Sequence, residues 1–355
     1  MKKGLFLVAA ALVALASCTE KEVTVEPQEI GFRAYTAKVT KAPIEGSDYL
    51  STAPNFRVFA TLQESGTYPT DKASAKKYFE SEVRFDNSDG YKIWRTFSES
   101  ANDFVKYYYP MSGSLTFVAV SPYDVESAFS PTTATLSITD YEPASTIVDQ
   151  ADVMYSKIAA SSNKSANDTG YTGSSKQGAP IVFNHALSQI IFKAQTTANY
   201  TADNMKFTID LLKVVDIPTK GNLSVVNDVL TGDVDGWTLV GTTKATFEPY
   251  TDAATAIPYT EALDLENYLL MIPQTLTDNV KVEVTYSMHS TATPAAFPST
   301  TKVVTKTLSA VLDNATTLNA NKKYIITLKL GADEILFSPS ITDWDTPVEK
   351  EAVIN

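Results

Sequence analysis

Apolar and polar side chains alternate along most of this chain, a pattern that restricts it to strands with one buried face. Val280, Val282, Val284 and Tyr286 alternate with Lys281, Glu283, Thr285 and Ser287. A period of two places all four apolar groups on one side of a pleated strand. Tyr324, Ile326, Leu328 and Leu330 show the same pattern against Ile325, Thr327 and Lys329. Further strands are predicted over residues 56–62, 115–120, 181–183, 187–194 and 207–215. Threonine, valine and tyrosine are abundant, as a pleated surface favours. Beyond the N-terminal apolar run, helical spacing is scarce, and residues 71–79 are the best helical candidate. Many short strands with turn residues between them predict an all-β chain of β-sandwiches.

The N-terminus has a different character. Met1-Lys2-Lys3 is basic and an apolar run extends from Leu5 to Ala16. That run suits a signal-peptide core and falls short of the ~20 residues a spanning helix needs. It ends in Leu15-Ala16-Ser17-Cys18, which matches the bacterial lipobox, so the Cys18 thiol is expected to carry lipid in the outer membrane of a Gram-negative cell. Each buried methylene contributes about 0.8 kcal/mol, so two or three acyl chains anchor firmly. Cys18 is the chain's only cysteine, which leaves no disulfide framework or cysteine nucleophile in the rest of the chain. Loss of Lys2 and Lys3 on processing raises the acidic excess of a chain whose formal net charge is already −12. That balance argues against nucleic acid as a partner. The acidic segment from Thr19 to Glu26 is either a surface-routing tether or a solvated linker.

A mature chain of roughly 337 residues fits two domains. The clearest break is the Ser/Asn/Gly/Lys-rich run 160–180, a linker or a long exposed loop. The expected organisation is a lipoprotein signal peptide over 1–17, a lipidated tether over 18–28, one β-sandwich domain over 29–179 and a second over 180–355.

Chemistry is sparse. His185 and His289 are the only histidines and are far apart, whereas histidine metal and acid–base sites gather more ligands. Gly173 to Gly178 has phosphate-loop spacing, but Ala179-Pro180 stands where Lys-Ser/Thr is required. Ser161-Ser162-Asn163-Lys164 fits a Ser-x-x-Lys pattern without its companion motifs. Asp233-Val234-Asp235-Gly236 resembles part of a calcium loop, but Thr231 and Thr242 stand where the first ligand and the bidentate glutamate belong. An Asp-Gly hairpin turn is the expected reading there. Tyr107-Tyr108-Tyr109 is either a binding platform or packing at a strand end. No catalytic residue, metal ligand or cofactor is assigned. A carboxylate pair such as Glu334 or Asp333 with a distant partner cannot be read from sequence.

Several blocks carry a family resemblance. Tyr107-Tyr108-Tyr109-Pro110 followed by Leu115-Thr116-Phe117-Val118-Ala119-Val120 resembles the aromatic-proline and strand block of the fimbrillin family. His185-Ala186-Leu187-Ser188-Gln189-Ile190 with Phe192, Ile217-Pro218-Thr219-Lys220-Gly221, Leu269-Leu270-Met271-Ile272-Pro273-Gln274 and the ending Ser338 to Asp345 are similar to further family blocks, in the family's order.

The resemblance implies a type V pilus subunit with two transthyretin-like β-sandwich domains in tandem after a lipoprotein signal. It also implies that a surface protease removes the lipidated first strand and that a C-terminal strand of the neighbouring subunit replaces it, in fimbriae that serve adhesion. The first strand is expected near residues 29–36, with Ile30, Phe32 and Ala34 on one face. The donor candidates are Ile335, Leu336, Phe337, Ile341 and Trp344, then Val348, Val353 and Ile354. Cleavage candidates are Lys41, Lys38 and Arg33, where Lys41 and Lys38 stand in place of the family's usual arginine and Arg33 falls inside the expected strand. The implied partners are other fimbrial subunits, outer-membrane lipid through Cys18, a processing protease, and a host or bacterial receptor. Two alternatives stay open: a monomeric surface lipoprotein binding glycan or peptide through its loops, and a fimbrial anchor that keeps its lipid.

Overall fold

The computed structural model describes residues 28–36, 55–86, 93–158, 178–227, 234–265, 267–332 and 334–344. These residues form an all-β structure. The largest sheet runs in the order β1 (Phe32–Thr36), β10 (Ala179–His185), β9 (Met154–Ser156), β6 (Ser114–Ser121), β2 (Phe56–Gln63), β3 (Lys76–Asp86), β4 (Ile93–Ser98) and β5 (Asp103–Phe104). β1 also pairs with β4, at Phe32 opposite Trp94, so the sheet closes on itself. Its interior is filled by Ile30, Phe32, Phe56, Val58, Phe117 and Phe183, among others.

The outer face of β2 and β6 is apolar too. Phe59, Val118 and Val120 pack against a second sheet ordered β14 (Val234–Leu239), β13 (Gly221–Val226), β8 (Thr135–Tyr141) and β7 (Ser127–Ser130). Burial on both faces explains the unbroken apolar run of β6, where one-sided strands alternate. This second sheet draws β7 and β8 from before the long polar run and β13 and β14 from after it. Ala179 and Pro180, on either side of the expected domain boundary, are the first two residues of β10 and belong to the closed sheet. The sheets therefore do not divide where the polarity of the chain does.

The remaining strands enclose one core. On one side lie β16 (Leu263–Asp264), β11 (Ser188–Thr196), β22 (Lys322–Leu330) and β23 (Ile335–Asp343), with β17 (Leu269–Met271) also on β11. On the other lie β15 (Lys244–Tyr250), β12 (Met205–Pro218), β19 (Lys281–Ser290) and β20 (Thr300–Thr307). Ile190, Phe192, Phe207, Leu212, Val282, Val284, Tyr286, Tyr324 and Ile326 meet between them. β11 and β22 run parallel from Ser188 opposite Lys322 to Thr196 opposite Leu330. A small pair, β18 (Gln274–Thr275) and β21 (Thr317–Leu318), completes the strands. One α-helical turn, Leu308–Val311, is capped by Thr307, whose hydroxyl accepts from the Ala310 N–H at 3.2 Å.

Two local expectations are corrected. Residues 71–79 contain only a 3₁₀ turn, Lys72–Ser74, before β3 begins at Lys76. Phe79 and Val83 fit a helical face, but a spacing of four also lies on one face of a strand, and pairing with β2 on one side and β4 on the other decides for strand. Asp235-Gly236 does not turn: both residues lie inside β14, opposite Val225 and Ser224.

Candidate strand-exchange site

β1 occupies a seat built for it. Ile30, Phe32 and Ala34 alternate inward and are 1%, 0% and 1% exposed. The Phe32 ring lies edge-on to Phe117 at 5.2 Å and to Phe56 at 6.3 Å, and Phe56 in turn meets Trp94 and Phe183. Aromatic rings prefer such edge-to-face contacts because the positive rim of one meets the negative face of the other. Burying Ile30 and Phe32 contributes about 1.5–3 kcal/mol each.

The backbone of β1 is held on both sides. It runs parallel to β10 from Phe32 opposite Ala179 to Thr36 opposite Phe183. The Ala179 N–H donates to the Gly31 carbonyl at 2.7 Å, and the Ile30 N–H donates to Tyr107 O at 2.8 Å. The Tyr109 N–H donates to Gln28 O at 2.9 Å. Gly178 lies so close to this backbone that a Cβ there would stand 2.5 Å from the Phe32 nitrogen. At the rim, Arg95 binds Glu29 at 3.1 Å and Asp86 at 2.5 Å, while Lys106 reaches Glu29 at 3.4 Å. Burial works against the charge on Arg95, but Asp86 and Glu29 outweigh it and hold the guanidinium above its ordinary pKa.

Of the cleavage candidates, Arg33 is exposed and lies inside β1, opposite Pro180. Lys38, Lys41 and Cys18 lie outside the described residues, as do Val348, Val353 and Ile354 among the donor candidates.

The other donor candidates lie on an edge. Among the described residues β23 is hydrogen-bonded on one side only, to β22, and carries Pro339 opposite Ile326. Proline, which has no N–H to donate, suits such an edge position. Ile335 is buried and Phe337 half-buried against the core, whereas Leu336 and Ile341 are 47% and 49% exposed. Beyond the strand, Trp344 stacks flat on His185 at 4.3 Å, and the Trp344 N–H donates to Asn321 O at 3.2 Å. Lys322 pairs with Asp343.

The remaining chemical candidates do not converge. His185 Nδ1 lies 2.7 Å from Asp152 with its ring face under Trp344. His289 meets Thr208 at 3.1 Å and Ser299 at 3.0 Å in a different sheet. No group of three His, Cys, Asp or Glu among the described residues is placed to hold a metal ion. Tyr109 is core, Tyr107 stacks on Phe79 at 4.0 Å, and Tyr108 bridges to Glu29, so the tyrosine run supports the first strand. Gln274 donates to Pro218 O at 3.1 Å, which ties together two of the sequence blocks. The close approach of Gly178 to β1 and the reach of Arg95 to Glu29 had no signal in sequence, because in each case the partner is far away in the chain.

These features define, among the described residues, an all-β protein with a buried first strand and a last strand at a sheet edge. The chain belongs to the fimbrillin-like family, whose model matches residues 40–344. A solved fimbrial protein from Bacteroides vulgatus has a similar fold, with a TM-score of 0.63 at 15% identity, covering 89% of this chain and 99% of that one. A Bacteroides uniformis structure, provisionally assigned to cell adhesion, gives a TM-score of 0.52 at 14% identity over 89% of this chain and 98% of its own. No curated protein matches the chain. Among the described residues, no helix is long and apolar enough to cross a membrane.

Proposed function

We propose that this chain is a non-enzymatic structural subunit of a type V fimbria, assembled by protease-triggered donor-strand exchange and serving adhesion at the cell surface. In this reading it consists of two transthyretin-like domains and is exported as a lipoprotein held through Cys18. A protease cuts between the first strand and β2, and the departing strand leaves its seat to a neighbouring subunit. The observation that carries the reading is the position of β1 between β10 and β4, with its inward side chains dry. Withdrawing β1 opens an otherwise closed sheet and exposes unpaired backbone along an apolar trench, a template for strand addition. Membership of the fimbrillin-like family supports the same reading.

N-terminal sequencing of protein sheared from cells, with unheated gels of the same sample, tests it. The expected result is a start near Ala42, after Lys41, together with a heat-sensitive ladder. A lipidated Cys18 on a single monomer band sinks the stalk subunit and leaves a lipid-retaining anchor or a solitary binding lipoprotein.

A further inference from the structure

The strand-exchange reading leaves open which residues fill the emptied seat, in which direction and in which register. β1 presents Ile30, Phe32 and Ala34 inward. β23 presents Ile335, Phe337 and Pro339 on its core-facing side, with the same spacing and nearly the same side chains. Resting on that reading, we propose that β23 of a second copy of this chain enters in the direction of β1, with Ile335 in place of Ile30, Phe337 in place of Phe32 and Pro339 in place of Ala34.

Neighbouring registers fail on chemistry. Two residues later, Pro339 falls between Phe56 and Phe117, where Phe32 now packs, and a void opens around the smaller ring. Two residues earlier, Asp333 takes the dry position of Ile30, where an unpaired carboxylate is strongly disfavoured. In the proposed register Ile341, half-exposed on its edge strand, follows at the position of Thr36, opposite Phe183. Ser338, exposed in β23, takes the place of exposed Arg33.

Direction is set by proline. The Gly31 carbonyl accepts from β10 whereas the Ile30 N–H points to Tyr107, so odd residues of β1 bond to β10 and even residues face the opposite neighbour. A strand entering in the same direction points the missing donor of Pro339 away from the β10 ladder. Reversal turns that gap onto β10 and puts isoleucine where Ala34 fits. One adjustment is required on entry. A Cβ at the position of Gly31 meets Ile93 Cδ1 at 2.6 Å, so Leu336 displaces the end of that flexible side chain.

The register is tested by disulfide trapping between full chains. The position of Tyr35 in β1 lies opposite Val182, which is 40% exposed, and the proposed register puts Ser340 of the incoming strand there. Chains carrying V182C are mixed with chains carrying S340C and treated with trypsin until sequencing reads a start at Ala42, then oxidised. In parallel, S338C, T342C and E334C report the earlier register, the later register and the reversed strand. Disulfide geometry tolerates little offset, so S340C is expected to cross-link on the order of tenfold more than the others. Dominant linkage through S338C, T342C or E334C overturns the register or direction and leaves strand exchange standing. A heat-sensitive ladder with no cross-link from any of the four overturns β23 as the donor. Absence of both ladder and cross-link overturns strand exchange itself, and this inference with it.

Discussion

Trp344 lies face to face on His185, with ring centroids 4.3 Å apart and planes 6° from parallel. His185 ends β10, the strand that flanks β1, and Trp344 follows β23, the strand on the far edge of another sheet. The stack therefore ties the C-terminal edge strand to the wall of the first strand's seat. Asp152, 2.7 Å from His185 Nδ1, orients the imidazole.

Trp344→Ala is expected to loosen β23 selectively. Hydrogen exchange of amides over residues 335–343 should accelerate while β2 and β6 stay protected. Because both variants remove one contact, His185→Ala should couple with it by about 0.5–3 kcal/mol in a double-mutant cycle. Additive effects would mean that the stack holds nothing.

Phe32→Ala removes a fully buried ring and should cost about 3–5 kcal/mol in urea unfolding. Arg33→Ala, next along the strand and exposed, should stay within about 0.5 kcal/mol. Equal losses would show that β1 is not seated as described.

Gly178→Ala pushes a Cβ into the backbone of β1, where no rotamer change relieves the contact. Destabilisation of about 1–3 kcal/mol is expected, with faster exchange at amides 30–36 before any change at β12 or β19. A silent substitution would refute the close approach.

Arg95→Ala removes the cation 2.5 Å from Asp86, whose side chain is 4% exposed. Removing one partner of a buried ion pair costs up to about 3–5 kcal/mol. Glu29→Gln, at a 33% exposed partner, should lose far less, and thermal melts of the two variants decide. Similar melting temperatures would contradict the rim arrangement.

Glu80 contributes an acid-side dependence. Partial burial pushes its carboxyl up, but hydrogen bonds from Lys77 and Arg57 at 2.7 and 2.8 Å outweigh that and bring it below the ordinary 4.5. A carboxylate with a depressed folded-state pKa adds stability that is present above the unfolded value and lost as pH falls through the folded one. Glu80→Gln should therefore flatten the fall in stability below 4.5 and leave its slope near neutrality unchanged. An unaltered acid limb would rule the contribution out.

The period of two was enough to place β19 and β22 and to set Ile30, Phe32 and Ala34 on one face, because side-chain polarity along a strand reports burial directly; β2 and β6 were legible as short apolar runs instead. The segment 71–79 and Asp235-Gly236 misled because local propensity competes with ladder pairing, and in both places the ladder won. Which strands pair was not legible at all. Backbone hydrogen bonds are nearly the same for every residue type, so nothing in Phe32 or Trp94 announces that β1 and β4 meet and close the sheet. Nothing in Ala179 announces that β10 runs beside β1, or in Gly221 that β13 lies on β8. The sequence alone determined that the chain is built of strands, and which side chains share a face. Only the tertiary structure decided that, among the described residues, the first strand closes a ring while the last lies at a sheet edge, because that difference depends on packing between residues far apart in the chain.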